Sequence, residues 1–265
     1  MIDLDAYHHD GFTVVQAREV LTLKAGLSAA LVVRALAALE KEPIFRADMA
    51  QLRKCESISQ IVDHVVSRET ANEVSGRLYR VFAATPELVA AIADPTVLGW
   101  VRSLGLVAPV AGTMPILRLD RSGDEWYRTP AHQDWWFSLL SPNSVTVWFT
   151  IGPLDDEMGL LEVAPGSHKA GLIEFRDTEI GSNPFRTAED WPDTKFQPIP
   201  LVEDAVLIFS QFLVHRSGVN RSPRTRMSIQ LRYNDIATMG RAETSYSIKH
   251  SDYVLKAQNR LVLGR

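Results

Sequence analysis

The sequence is short of cysteine and has no excess of positive charge. Its single cysteine, Cys55, leaves no partner for a disulfide within the chain, which fits a reducing compartment. There are 28 lysines and arginines against 32 aspartates and glutamates, a formal net charge of -4. Such a chain lacks the basic footprint that is typical of nucleic-acid binding. We therefore predict a cytoplasmic protein that does not bind nucleic acid.

Long apolar runs are also scarce. We expect no membrane partner, because no run approaches the roughly 18 apolar residues that a spanning helix needs. The opening stretch MIDLDAYHHDGF is acidic and lacks the basic-then-apolar pattern of a signal peptide. The remaining composition, 46% hydrophobic and 23% charged, is that of an ordinary soluble globular protein with a sizeable core.

The order of the predicted elements indicates the fold class. GLSAALVVRALAALEK has helical spacing and ends before Pro43, and PELVAAIADPTVLGWVRSLG predicts two short helices interrupted at Asp94 and Pro95. GFTVVQA predicts an early strand, and five later segments predict further strands: MPILRLD, SVTVWFTIG, GLLEVAPG, AVLIFSQFLV and RMSIQLRYND. Helices followed by a run of strands predict a mainly β fold, a sandwich or barrel with helices packed on one side.

We predict a single domain over residues 1–265. Residues from about 1–112 are the helical support, about 113–235 form the β core, and 236–265 are a C-terminal extension. The segment 173–200 is polar, broken by prolines and longer than ordinary connections. These features predict a mobile lid that covers the active site. An insertion packed permanently against the sheet is the alternative.

One stretch, TPAHQDWWFSLL, predicts half of a metal site. His132 and Asp134 are one residue apart, so on an extended strand both side chains point the same way. About eighty residues later His215 follows an apolar strand. Two histidines and one carboxylate are the ligand set of the facial triad that binds Fe(II) and leaves its opposite face open. His168, in a Pro-Gly-Ser turn, is interpreted as a surface residue.

Two strands each carry one polar face. Such a face lies against water or against a polar cavity, and the pattern alone does not decide between them. Arg226 lies on this face, eleven residues after His215, and a buried guanidinium there needs an anionic partner that is not obvious nearby in sequence. Its fork suits the distal carboxylate of a dicarboxylic cosubstrate. The polar positions are Thr146, Trp148 and Thr150 on one strand, and Arg226, Ser228, Gln230 and Arg232 on the other.

The segments HQDWWF, GLLEVAPGSHKAG and FSQFLVHRSGVNRSPRTRMSIQLRY together resemble the phytanoyl-CoA dioxygenase family of Fe(II)/2-oxoglutarate oxygenases. The likeness extends from DGFTVV to about Asn234. It implies a double-stranded β-helix (a jelly roll, cupin-like) with N-terminal helices packed on one sheet.

The resemblance also implies roles for residues. His132, Asp134 and His215 would bind iron, Arg226 would hold the C5 carboxylate of 2-oxoglutarate with help from Ser217, and Trp148 would lie beside the cosubstrate. The family often has an amide or basic residue ahead of the His-x-Asp motif, where LRLDR offers Arg118, Asp120 and Arg121 instead. Contacts with substrate are expected from Arg118, Gln133, Trp135, Gln230 and Arg232.

The implied reaction is hydroxylation of a small, polar molecule. Fe(II), 2-oxoglutarate and O2 would be required, with ascorbate as a stimulant, and succinate and CO2 would be released. The carboxylate of Asp134 argues against halogenation, since related halogenases have a small residue there. A zinc hydrolase on a cupin-like fold and a non-catalytic binding protein that kept the fold remain alternatives.

Overall fold

A computed structural model describes residues 2–68, 73–123, 128–138, 141–180, 183–188 and 191–238. The C-terminal extension predicted at 236–265 therefore lies largely outside the described residues. Helices occupy most of the first hundred residues, as the sequence predicts. They are α1 Leu4–Asp10, α2 Arg18–Leu39, α3 Met49–Leu52, α4 Ile58–Arg68, α5 Glu73–Ala83, α6 Pro86–Ala90, α7 Pro95–Ser103 and, later in the chain, α8 Trp135–Ser138.

Eleven strands are present in the described part of the chain, and they include all six that the sequence predicts. They are β1 Phe12–Gln16, β2 Pro109–Ala111, β3 Ile116–Asp120, β4 Ser144–Ile151, β5 Leu161–Val163, β6 Phe175–Ile180, β7 Asn183–Ala188, β8 Gln197–Ile199, β9 Ala205–Ser210, β10 His215–Ser217 and β11 Arg226–Asp235.

Helix α2 is the centre of the helical support. Its buried side chains, among them Leu27, Leu31 and Leu39, pack with α4, α5 and β4 in the larger apolar core. Lys24 is the exception on this face: its Nζ donates to the backbone carbonyls of Glu203 at 2.8 Å and Ala205 at 3.0 Å. These two bonds tie the helix to the start of β9.

Helix α2 also corrects one expectation from the sequence. By length and composition it is apolar enough to cross a membrane, and the bent pair Val74–Ala83 and Pro86–Ser103 would pass the same test together. An apolar core helix of a globular protein has the same composition. The buried face of this helix packs against α4, α5 and β4, and 28% of the apolar window is buried.

The major sheet has six antiparallel strands in the order β1-β9-β4-β11-β2, and β3 pairs with the first half of β11. Its outer face packs on the helices, and every residue of both β4 and β11 is buried. The polar face of these strands therefore lies in the interior of the protein and not against bulk water, and its residues Gln230 and Arg232 line a cavity. This observation decides the alternative that the sequence left open.

The minor sheet lies opposite and consists of β10-β5-β8. A second apolar cluster fills the space between the sheets, with Trp148 and Leu207 from the major sheet and Leu161 and Val163 from the minor one. Two facing antiparallel sheets with helices outside are the jelly-roll arrangement that the sequence predicts.

The segment 173–200 contains more regular structure than its prolines suggested. Strands β6 and β7 form an antiparallel hairpin, and β8 is an integral strand of the minor sheet, paired with β5. Residues 197–199 are therefore part of the minor sheet, and a lid formed by the rest of the segment stays a prediction. Trp191 and Phe196 pack on the cluster around Trp135 and Trp136.

Candidate metal centre

Three side chains of the predicted ligand set meet between the two sheets. Potential ligand atoms of His132, Asp134 and His215 all lie within 4.8 Å of one another, and all three residues are buried. The backbones of His132 and His215 form an antiparallel bridge in which each N–H donates to the other's carbonyl at 3.0 Å. This bridge brings together two residues that are 83 positions apart, with ring centroids separated by 4.1 Å.

Each imidazole is oriented by a nearby backbone carbonyl. Nδ1 of His132 lies 2.8 Å from the carbonyl oxygen of Pro130, and Nδ1 of His215 lies 3.0 Å from that of Leu213. A carbonyl only accepts, so each Nδ1 is assigned as the protonated nitrogen and each Nε2 carries a lone pair. This is the tautomer in which a histidine binds a metal through Nε2.

Asp134 completes the set and is held at both oxygens. Oδ2 accepts a hydrogen bond from Thr146 Oγ1 at 2.6 Å, and Oδ1 accepts from Nη2 of Arg232. Burial by itself would raise the pKa of this carboxyl, but Arg232 and the two histidines hold it well below its ordinary value. Asp134 is therefore a carboxylate at neutral pH.

The ligand atoms around Oδ1 of Asp134 are arranged in a way that suits a metal ion. This oxygen lies 3.5 Å from Nε2 of His132 and 3.7 Å from Nε2 of His215. Burial and the neighbouring His132 lower the pKa of His215 to about 3, so its Nε2 is an acceptor and not a donor. A metal ion between these atoms would be bound by both Nε2 atoms and by Oδ1 at once. Metal–ligand bonds of about 2.1 Å set adjacent ligand atoms about 3 Å apart. A small inward movement of the three side chains would therefore bring their ligand atoms to metal-binding distances.

The His-x-Asp motif is not on a regular strand, contrary to the prediction. His132 forms an isolated bridge, and α8 begins directly after Asp134. Both Trp135 and Trp136 are buried in the same apolar cluster. The side chain of Trp135 stacks on Phe212 and donates Nε1–H to the carbonyl of Ser141 at 2.9 Å.

The side chain of Gln133 is directed at backbone groups of neighbouring loops and not at the cavity next to the metal ligands. Its Nε2 donates to the carbonyls of Gly171 at 2.8 Å and Phe212 at 2.6 Å, and its Oε1 accepts from the backbone N–H of Ile173 at 3.1 Å. Neither Gln133 nor Trp135 is among the described residues that line the cavity next to the metal ligands. The hydrogen bonds of both residues hold the ligand loop, and their contact with substrate stays a prediction.

A cavity of about 250 Å³ opens onto the two histidines. Three of the five expected substrate residues line it, together with Ser217, which the sequence assigned to the cosubstrate. Its described lining residues are Ile116, Arg118, Thr129, His132, Phe137, Leu161, His215, Ser217, Gln230 and Arg232.

Arg226 has an anionic partner that the sequence reading did not find. It is opposite Asp120 on the paired strand β3, and its Nε and Nη2 donate to Asp120 Oδ2 at 3.2 Å and 2.7 Å. Arg118 donates to the other oxygen, Oδ1, at 2.7 Å. Burial would raise the pKa of Asp120, but the two arginines lower it. Nη1 of Arg226 is buried and has no hydrogen-bond partner among the described residues.

Three further residues considered from the sequence lie in different parts of the structure. Trp148 is buried between the sheets, opposite Gln230 in the strand register. Arg121 turns away from the cavity and donates to Ser75 Oγ on α5. His168 lies apart from the three ligands, with Nε2 3.3 Å from the carbonyl oxygen of His8.

Thr146 is the functional residue that the sequence reading did not single out. The alternation of β4 had already assigned it to the polar face. The signal that could have found it is strand register: Thr146 pairs with Arg232, and both side chains reach Asp134. That register is not readable from one strand alone.

The chain is similar to known proteins both in sequence and in fold. The family model described as Phytanoyl-CoA dioxygenase (PhyH) matches residues 7–228. Peroxisomal phytanoyl-CoA dioxygenase of Rattus norvegicus is 31% identical over 127 residues, covering 46% of this chain and 38% of that protein. Methylphosphonate hydroxylase of Gimesia maris is 25% identical over 123 residues, covering 46% and 45%. The matched region thus spans less than half the length of these relatives.

Two solved structures share the fold. The apo form of ThoJ, a non-heme monooxygenase, has a TM-score of 0.56 at 16% identity and covers 99% of this chain and 100% of its own. SnoK, a non-heme α-ketoglutarate-dependent carbocyclase from nogalamycin biosynthesis, has a TM-score of 0.54 at 17% identity, covering 88% and 82%. At these identities the likeness concerns the fold, and it agrees with the jelly roll described above.

Proposed function

Because the chain belongs to the phytanoyl-CoA dioxygenase family, we propose that it is an Fe(II)/2-oxoglutarate-dependent oxygenase that hydroxylates a small molecule. The observation that carries the proposal is the convergence of two imidazoles on one carboxylate oxygen, 3.5 Å and 3.7 Å away, beside a cavity. Two nitrogen ligands and one carboxylate suit Fe(II) and leave further coordination positions open.

In this proposal His132, Asp134 and His215 hold the iron. The carbonyls of Pro130 and Leu213 keep both Nε2 lone pairs directed at the metal position. Thr146 holds Oδ2 of Asp134, so the carboxylate presents Oδ1 to the metal. When bound, iron, 2-oxoglutarate and O2 supply the oxidising equivalents, with release of succinate and CO2.

Arg226 is proposed to hold the C5 carboxylate of 2-oxoglutarate through its buried Nη1. Asp120 fixes the guanidinium from the opposite edge, and Arg118 keeps Asp120 from neutralising Arg226 completely. Ser217 lies on the cavity wall, two residues beyond His215, where its hydroxyl can assist the same carboxylate. Trp148 is proposed to limit the space beside the cosubstrate.

The substrate is proposed to be small and polar. The cavity, about 250 Å³, is below the range of about 300–1,000 Å³ that is common for ligand sites, and polar side chains form much of its described wall. Methylphosphonate hydroxylase, one of the similar proteins, acts on a molecule of this kind, as its name states. Phytanoyl-CoA dioxygenase, the other, acts on an acyl-CoA, for which the described cavity offers little room.

The test of the metal site compares three histidine variants. Metal content and succinate formation are measured with Fe(II), 2-oxoglutarate and ascorbate, over a panel of small polar molecules. His132→Ala and His215→Ala should lose both iron and succinate formation, whereas His168→Ala, the matched control, should keep both. Retention of full iron content in His215→Ala would contradict the ligand assignment. Tight zinc binding without 2-oxoglutarate binding would favour the hydrolase instead.

The test of the cosubstrate site separates it from the metal. Arg226→Ala should leave iron content intact and weaken 2-oxoglutarate about ten- to hundred-fold, the loss expected for a hydrogen bond to a charged group. Arg226→Lys should recover part of this, since a point charge replaces the fork. Arg224→Ala, which removes a surface pair with Asp155, is the control and should have no effect. Unchanged 2-oxoglutarate affinity in Arg226→Ala would assign the carboxylate to Arg118.

A further inference from the structure

Arg232 is a buried cation beside the metal ligands that neither iron nor the proposed cosubstrate contact accounts for. It is 6% exposed and lines the cavity together with His132 and His215. Its Nη2 donates to Oδ1 of Asp134, the same oxygen on which both imidazoles converge. A single small molecule could therefore reach both the guanidinium and the metal position.

Most of the donors of Arg232 remain available. A guanidinium has five N–H groups, and both hydrogen bonds that it makes with described residues come from Nη2: one to Asp134 and one to Gln230 Oε1 at 3.1 Å. Its Nε is buried and has no partner among the described residues. Gln230 holds the group in place from two positions earlier on the same strand, and Phe137 lies 6.0 Å from it. The guanidinium is therefore held in place through Nη2, and the N–H groups of Nε and Nη1 remain unused by the described residues.

Metal binding changes the balance of charge at this point. Oδ1 of Asp134 would then donate its electrons to a divalent cation, and its attraction for Arg232 would fall. Buried N–H groups without a hydrogen-bond partner are costly, so the unused donors of Arg232 favour an incoming anion. Carboxylate and phosphonate are oxyanions that accept charge-assisted hydrogen bonds from such N–H groups.

We propose that Arg232 binds an oxyanion group of the substrate next to the metal. This inference rests on the proposed oxygenase function and adds to it the substrate class: a small molecule with a carboxylate or phosphonate close to the carbon that is oxidised. The closeness follows from the shared oxygen of Asp134, because the metal and Arg232 approach the same atom. Arg232 is therefore a specificity-determining residue that touches the substrate and is not a metal ligand.

Binding of matched charged and neutral probes tests the proposal without turnover. The wild-type protein is loaded anaerobically with Fe(II) and 2-oxoglutarate, and both are quantified first. Propionate and methylphosphonate are then titrated by calorimetry beside propionamide and dimethyl methylphosphonate, their neutral counterparts. Both anions should bind at least about ten-fold more tightly than their counterparts, as charge-assisted hydrogen bonds require.

Three variants assign the preference to Arg232. Arg232→Gln should lose the preference for anions and keep 2-oxoglutarate affinity, and Arg102→Gln, an exposed arginine on α7, should change neither. Arg232→Lys keeps the charge without the fork, so it should bind both anions about ten-fold more weakly than wild type and still favour them over the neutral probes. If the glutamine variant does not retain iron, the lysine variant decides.

The outcomes separate this inference from the proposed function. A wild-type protein that fails to take up Fe(II) and 2-oxoglutarate refutes the oxygenase itself. A loaded protein overturns the inference alone if it binds charged and neutral probes equally or binds no anion. Anion binding in Arg232→Gln or Arg232→Lys as tight as in wild type overturns it too. Loss of 2-oxoglutarate affinity in Arg232→Gln would assign Arg232 to the cosubstrate instead.

Discussion

Replacement of Gln133 by leucine tests whether the residue between two metal ligands binds substrate or holds the loop. Gln133→Leu keeps the approximate volume and removes three hydrogen bonds, those to the carbonyls of Gly171 and Phe212 and from the N–H of Ile173. At roughly 1 kcal/mol net for each bond, the expected loss of unfolding free energy is about 3 kcal/mol. For a chain of this size that corresponds to a fall in Tm of roughly 6–12 °C.

The assay is urea unfolding of metal-free protein, followed by far-UV circular dichroism. Gln230→Leu is the matched control, because Gln230 is similarly buried and makes one described hydrogen bond, to Arg232. Its expected cost is about 1 kcal/mol. The reasoning is refuted if Gln133→Leu is as stable as wild type, whatever its effect on turnover, since the loop role requires the larger loss. A higher KM for substrate in Gln133→Leu, with stability unchanged from wild type, would restore the substrate role.

Three further predictions concern charge, backbone and mobility. Burial lowers the pKa of Lys24 to about 8, so the folded protein binds fewer protons than the unfolded chain between that pH and the ordinary lysine value. Wild-type stability relative to Lys24→Met should therefore rise from pH 8 to pH 10, and a constant difference in urea unfolding would contradict this. Gly159 has φ +71°, and a Cβ there would lie 2.5 Å from the backbone carbon of Val219, so Gly159→Ala should lower stability by at least about 1–3 kcal/mol in the same assay. Amide exchange of residues 173–196 should slow when iron, 2-oxoglutarate and substrate bind, and slow exchange that no ligand alters would contradict the lid.

The sequence by itself determined six of the eleven described strands, the main apolar helix and the chemistry of the ligand set. Strand alternation in β4 and β11 separated polar from apolar faces, because side chains alternate across any strand. Helical periodicity located α2, and the break at Asp94 and Pro95 separated α6 from α7, because proline cannot donate the hydrogen bond of a helix interior. The residue types His, Asp and His restricted the metal, since ligand chemistry is a property of each side chain alone.

Only the tertiary structure decided which groups meet. The pairing of Arg226 with Asp120 depends on the register of β11 against β3, and that of Thr146 with Arg232 depends on its register against β4. Register is set by how whole strands pack, so no local pattern specifies it. The roles of Gln133 and Arg232 also depend on tertiary packing. Gln133 is next to two ligands in sequence, and Arg232 is on the predicted polar face of β11, but neither position specifies a hydrogen-bond partner. The surrounding chain directs Gln133 to backbone carbonyls and Arg232 to the metal ligand Asp134.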